Sequence, residues 1–283
     1  MSSITSWTIP GAGGEPIIGD CHLPHGRPKG VVLIAHGFKG YKDYGMFPRI
    51  ARAMAEAGFI AHRFNFSHSG MTNEIATFAR PDLFEQDTWS RQVHDFLAVI
   101  DAVGDGVIDG RGLPYVMFGH SRGGVAALLT AGRFADDETM VQPAGLITAA
   151  APSSCLGMSG DQAEQVMREG FVISPSSRTG QQLRIGRAFI AEQREDPAGH
   201  DLPSLVAKIR CPILIVHGET DPTVPVGCAH EIAGAAQDGH TLVIDGADHV
   251  FNVPNPLPDD APGSPQLARM LDAMAAFAAK CCG

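Results

Sequence analysis

What this sequence has little of is charge. Only 18% of its 283 residues are Asp, Glu, Lys or Arg, and acidic side chains outnumber basic ones 31 to 21, for a formal net charge of -10. Such a surface repels phosphate backbones and anionic lipid, so neither nucleic acid nor a membrane is expected as a partner. Ordinary solubility accounts for the sign. Long hydrophobic runs are absent as well. Val31–Ala35 is typical of the longest, far short of the ~20 residues that cross a bilayer. Residues 1–7 have neither the basic nor the apolar region of a secretory leader, and none is expected. Six cysteines (Cys21, Cys155, Cys211, Cys228, Cys281 and Cys282) show no metal-ligand or disulfide-framework spacing. They fit a reducing compartment and a soluble, cytoplasmic protein, with the adjacent Cys281 and Cys282 at a fraying end. No repeat or low-complexity tract is present, and no metal or organic cofactor is implied. With 44% hydrophobic residues, the chain is globular and long enough for one large α/β domain or two smaller ones.

Strand-like and helix-like segments alternate, which predicts a mostly parallel sheet with helices on both faces. Residues 4–9 and 16–23 read as a hairpin around Gly11, Ala12, Gly13 and Gly14. Strands follow at 31–35, 59–64, 114–118, 144–149, 212–216 and 241–244. Phe47, Ile50, Ala51, Met54 and Ala57 recur at helical spacing, as do Trp89, Val93, Phe96, Leu97 and Ile100. Further helices are expected near 225–236 and over Leu267, Met270, Leu271, Met274 and Phe277. The rhythm fails between 155 and 208. Long structureless loops are uncommon inside compact domains, so 155–208 is expected to be a small ordered cap inserted into a core made of 1–154 and 209–283.

The chemistry centres on Gly119-His120-Ser121-Arg122-Gly123-Gly124. It follows the apolar Tyr115-Val116-Met117-Phe118 and precedes the helix-like Val125-Ala126-Ala127-Leu128-Leu129. A strand, then G-x-S-x-G, then a helix is the context of a nucleophile elbow, where Ser121 stands on a sharp turn above the sheet. The free N–H groups at the helix start then face the reacting oxygen.

A serine nucleophile needs a base, and the base an orienting group. Of twelve histidines, His249 follows the strand at 241–244. Asp221 follows the strand at 212–216. Both reach the carboxyl edge of the sheet, where Ser121 also stands. Asp245 and Asp248 are competing carboxylates and are ranked lower, Asp248 because it adjoins His249 in a way that points its side chain elsewhere. Oxyanion donors are expected from the backbone N–H of Arg122 and of Phe38, which lies in His36-Gly37-Phe38 just after a buried strand. His36 reads as a structural hydrogen-bonder that holds that loop.

These segments, His-Gly-Phe-Lys-Gly at 36–40, Gly-His-Ser-Arg-Gly-Gly at 119–124, His-Gly-Glu-Thr-Asp-Pro-Thr-Val-Pro at 217–225 and Gly-Ala-Asp-His at 246–249, resemble the α/β-hydrolase superfamily along nearly the whole chain. The resemblance implies an α/β-hydrolase fold and a Ser121–His249–Asp221 triad. Within the superfamily the chain is most similar to capped bacterial carboxylesterases of the cinnamoyl and feruloyl esterase type. Phe64-Asn65-Phe66-Ser67-His68-Ser69-Gly70 departs from the Asp-rich, Gly-His-Gly version that relatives often carry. That departure touches pocket detail rather than chemistry. Dienelactone hydrolases are similar in layout but use Cys at the elbow, and haloalkane dehalogenases use Asp.

The expected activity is a serine carboxylic-ester hydrolase that forms an acyl-enzyme from a small ester, aromatic cinnamoyl or feruloyl esters among the options. Acyl thioesters and small-peptide amides are alternatives with the same triad, and a non-catalytic ligand-binding protein on this fold is another. The residues that contact substrate stay open. Met158, Phe171, Leu183 and Phe189 could line an acyl pocket or pack the cap down. The arginines of 155–208, Arg178 among them, read as solvated, with a carboxylate-bearing substrate as the alternative.

Overall fold

Period-two alternation of apolar residues, buried on both faces, organises the molecule. In the strand Val31–Ala35, Val31, Leu33 and Ala35 enter one core while Val32 and Ile34 enter the other. Met117, Leu146, Ile213 and Ile215 repeat the first pattern; Val116, Phe118, Ile147, Leu214 and Val216 repeat the second. Continuous apolar strands of this kind belong at the centre of a parallel sheet covered on both sides. The computed structural model describes residues 3–258 and 260–283. Met1 and Ser2, part of the leader reading, lie outside the described residues.

Among the described residues the strands are β1 (Ile4–Pro10), β2 (Pro16–His22), β3 (Val31–Ala35), β4 (Ile60–Asn65), β5 (Tyr115–His120), β6 (Gly145–Ala149), β7 (Phe171–Pro175), β8 (Gln182–Gly186), β9 (Ile213–Gly218) and β10 (Gly239–Ile244). The α-helices are α1 (Phe47–Glu56), α2 (Pro81–Glu85), α3 (Trp89–Asp105), α4 (Arg122–Arg133), α5 (Gly160–Glu169), α6 (Ala188–Glu195), α7 (Leu202–Val206), α8 (Gly227–Ala235) and α9 (Pro265–Cys282). Eight strands form one sheet in the order β1-β2-β4-β3-β5-β6-β9-β10. β2 pairs antiparallel with β1 and β4, and the remaining pairs are parallel. This is the α/β-hydrolase fold expected from the sequence.

Helices α3, α4 and α8 cover one face through Phe96, Val99, Val125, Leu128 and Ile232. Helices α1 and α9 cover the other through Ile50, Met54, Met270 and Met274. Between β6 and β9 the chain forms α5, the antiparallel β7–β8 hairpin, α6 and α7.

Two readings need correction. Cys281 and Cys282 do not fray. They close the last turn of α9, and side chains added at Gly145 or Gly30 would meet their sulfurs at 2.7 and 2.8 Å. Arg178 is not simply solvated. It is half-buried, stacked 4.8 Å from the Tyr41 ring centroid and 5.1 Å from that of Phe78. No helix among the described residues is long and apolar enough to cross a membrane.

Candidate active site

Ser121 sits directly beyond β5 with φ 52° and ψ -121°, a conformation that costs a non-glycine residue about 1–3 kcal/mol. The surroundings over-determine it. Its N–H donates to the Ala149 carbonyl at 2.8 Å, and its own carbonyl accepts from Gly124 N–H at 2.9 Å. The flanking glycines are needed for close approach. A Cβ at Gly119 would lie 2.1 Å from the Gly123 oxygen, and one at Gly123 would lie 2.4 Å from the His36 oxygen.

Asp221 and His249 come from the loops after β9 and β10, at the same carboxyl edge. The Ser121 hydroxyl donates to His249 Nε2 at 3.1 Å, and His249 Nδ1–H donates to Asp221 Oδ2 at 2.8 Å. Thr223 and Val224 N–H groups donate to the other oxygen, Asp221 Oδ1, at 2.8 and 3.0 Å. Burial would raise this carboxyl, but hydrogen bonds from His217, His249 and those two amides outweigh it and hold it well below the usual carboxylate range. The competing carboxylates are elsewhere. Asp245 is exposed, and Asp248 Oδ1 accepts from Val250 and Asn252 N–H at 2.9 and 2.7 Å, capping its own turn.

Two further histidines hold the frame. His120 Nε2–H donates to the His249 carbonyl at 2.8 Å, its ring 4.9 Å from that of His249. Burial and the neighbouring His249 push its pKa down to about 3, so it stays a neutral donor. His36 Nδ1–H donates to the Gly37 carbonyl at 2.8 Å, and its Nε2 accepts from Phe66 N–H at 3.3 Å. It therefore links the Phe38 loop to the loop after β4, and burial lowers its pKa to about 4. Ser67 of that second loop is pinned by Asp95, which accepts its N–H at 2.7 Å.

The sequence points to Arg122 through its backbone N–H, at the unpaired start of α4. Its side chain is a finding of the structure. The guanidinium lies 4.4 Å from the Phe189 ring centroid, 4.7 Å from Trp89 and 5.4 Å from Phe38, with Nη2 3.0 Å from Asp87 Oδ2. Burial raises the Asp87 carboxyl to about 6 despite the arginine. This ties α3 and α6 to the elbow.

A cavity of about 180 Å³ opens above Ser121, with His120, His249, Gly37 and Phe38 on its walls. Phe47, Met46, Tyr44, Val250 and Val253 form an apolar side, and Lys39 with Ser176, Ser177 and Arg178 of the β7–β8 turn forms a polar one. None of Met158, Phe171, Leu183 or Phe189 is among the lining residues. Leu183 packs with Phe78 and Phe84, Phe189 stacks on Trp89, and Phe171 carries Arg184. A larger cavity of about 780 Å³ lies at the opposite end of the sheet, near Leu113 and Phe134, and has no serine, cysteine or histidine in its wall.

Comparison with known proteins agrees with this architecture. The sequence profile described as "Alpha/beta hydrolase family" matches residues 31–260, and the chain belongs to that family. A monoacylglycerol lipase of Mycolicibacterium smegmatis is 26% identical over 278 residues, covering 89% of this chain and 93% of that one. Among solved structures, the esterase domain of a Rhodothermus marinus protein superposes with a TM-score of 0.66 at 22% identity, covering 99% of this chain and 100% of that one. Est1E from Butyrivibrio proteoclasticus gives 0.69 at 17% identity, with 98% of both chains covered, and has also been solved with ferulic acid bound. At such identities the structural likeness speaks for the fold.

Proposed function

We propose that this protein is a serine carboxylic-ester hydrolase acting on small esters through an acyl-enzyme. The observation that carries the reading is the continuous hydrogen-bond chain from Ser121 through His249 to a buried Asp221 at the wall of a cavity. Ser121 Oγ attacks the ester carbonyl while His249 Nε2 takes its proton. Asp221 holds the imidazole with Nε2 free to accept and balances the imidazolium that forms. The N–H groups of Phe38 and Arg122 meet the developing oxyanion, each worth roughly 3 kcal/mol of barrier. His249 then returns the proton to the departing alcohol and activates the water that releases the acid. The segment 155–208 acts as a cap whose β7–β8 turn roofs the cavity. The lipase and esterase names among the relatives support this class, and ferulate bound to Est1E keeps aromatic acyl groups within the range to test.

The test is initial rates on p-nitrophenyl esters from acetate to laurate and on methyl ferulate, for wild type and Ser121→Ala. The variant should lose at least about 10⁴-fold in kcat with an unchanged melting temperature, and a fluorophosphonate should label only the wild type. Full activity in Ser121→Ala would sink the assignment.

A further inference from the structure

The polar side of the cavity carries positive charge and nothing to neutralise it. Lys39 and Arg178 both line it, and no Asp or Glu does. Among the described residues their hydrogen-bond partners are neutral. Lys39 Nζ donates to the Pro175 carbonyl at 2.6 Å, and Arg178 donates to the Ile75 carbonyl and, at 3.4 Å, to the Met71 sulfur. A guanidinium has five N–H donors and an ammonium three, so both keep donors to spare. The chain as a whole is acidic, at -10. An uncompensated cationic pair beside the nucleophile runs against that composition.

Both groups are also held in place. Arg178 lies against both the Tyr41 and Phe78 rings, which limits the freedom of its side chain. Lys39 adopts φ 58°, a strained choice for a residue with a side chain, and its Nζ is tied to the strand end that leads into the Arg178 turn. Burial lowers the Lys39 pKa, the mark of an ammonium that has lost water without gaining an anion. Lys39 comes from the loop after β3 and Arg178 from the β7–β8 turn, so a bound anion would join the two.

We infer that the ester accepted at this site carries a carboxylate, which Lys39 and Arg178 bind while Ser121 attacks the ester carbonyl. The inference rests on the serine-hydrolase reading above and names its substrate class. The carboxylate can belong to the acyl part, as in a half-ester of a dicarboxylic acid, or to the alcohol part, as in an ester of a hydroxy acid. In either case water is added across one ester C–O bond. The half-ester yields a dicarboxylate, an alcohol and a proton; the hydroxy-acid ester yields two carboxylates and a proton.

Two matched pairs test it: monomethyl glutarate against methyl pentanoate for the acyl side, and O-butyrylglycolate against propyl butyrate for the alcohol side. In wild type the charged member of one pair should show at least about tenfold higher kcat/KM, mainly through KM. That KM should rise as salt is raised to about 0.5 M while the neutral KM stays level. Lys39→Met and Arg178→Met should each cut the charged-to-neutral ratio about tenfold or more, and Arg178→Lys should restore part of it, whatever happens to absolute rates. Equal or faster hydrolysis of the neutral member in both pairs overturns the inference and leaves the serine-hydrolase reading standing, provided Ser121→Ala abolishes it. A charged preference that survives both Met variants overturns the assignment to these residues. Hydrolysis of all four esters that persists in Ser121→Ala overturns the serine-hydrolase reading itself.

Discussion

Gly37 shows how little room the proposed chemistry leaves. A Cβ there would stand 3.0 Å from Ser121 Cβ and 3.1 Å from His120 Nδ1. The loop that carries Phe38, whose N–H is the proposed oxyanion donor, is thus packed directly on the elbow. Gly37→Ala must push loop and nucleophile apart by a few tenths of an ångström. Because oxyanion donors act only on the transition state, kcat should fall roughly tenfold or more with KM little changed. A KM-only effect in steady-state assays would place the loop in substrate binding instead. Asp221→Asn probes another link. The amide oxygen can still accept from Thr223 and Val224 N–H, so the loop should keep its shape and the melting temperature should hold. The histidine, however, loses the acceptor that fixes its tautomer, and kcat should drop by about 10⁴. A loss of under tenfold would mean that His249 is not oriented by Asp221.

At the scale of elements, the β7–β8 hairpin is anchored to the segment at Thr77 and Phe78 by the side chain of Gln181. Gln181 Oε1 accepts from Thr77 Oγ1–H at 2.9 Å and from Phe78 N–H at 2.8 Å, and its Nε2–H donates to the Phe78 carbonyl at 3.1 Å. Gln181→Leu leaves both backbone groups of a buried residue unpaired, a loss of about 1–3 kcal/mol. Hydrogen exchange over 171–186 should accelerate more than in the central strands, and uniform acceleration would show that the hairpin has no independent motion. This element was also the least legible in the sequence. β3, β5, β6 and β9 announce themselves as apolar runs because both faces of each are buried, and α1, α3 and α9 do so by helical periodicity. The hairpin strands, α6 and α7 are short and α5 is mostly polar, and each buries only one to three side chains, as with Val172 in β7 and Leu202, Leu205 and Val206 in α7. So few apolar positions establish no clear period. The same contrast holds within the site. Ser121, Asp221 and His249 stand at strand ends and could be located by position. Lys39, Arg178 and the aromatic box around Arg122 depend on which distant loops meet, and nothing local encodes that.

Across the whole molecule, buried neutral histidines set the response to acid. Burial holds His22, His36 and His68 at about 4 and His120 at about 3, against an ordinary 6.5. Between those values the unfolded chain binds protons that the folded chain refuses, so stability is lost as pH falls below about 6.5. Asp87 works the other way. Held up at about 6, it keeps a proton in the folded state that the unfolded chain releases above about 3.8, and so gains as pH falls. General repulsion also eases on acidification, because protonation moves the chain from -10 toward zero. The lowered histidines, His62 among them, and carboxylates held low such as Asp221 and Asp43 outweigh the raised Asp87 and Asp95 and decide the sign. The melting temperature should fall steadily from pH 6.5 to 4.5, even over the upper part of that range, where net charge shrinks toward zero at a pI of about 5.6. His120→Gln, which can still donate a hydrogen bond, should flatten that dependence by about one proton, roughly 1.4 kcal/mol per pH unit. Chemical denaturation at each pH measures both slopes. A stability that stays level or rises toward pH 4.5 would mean that these histidines gain protons inside the fold, and that the neutral His120 donor beneath His249 has been misread.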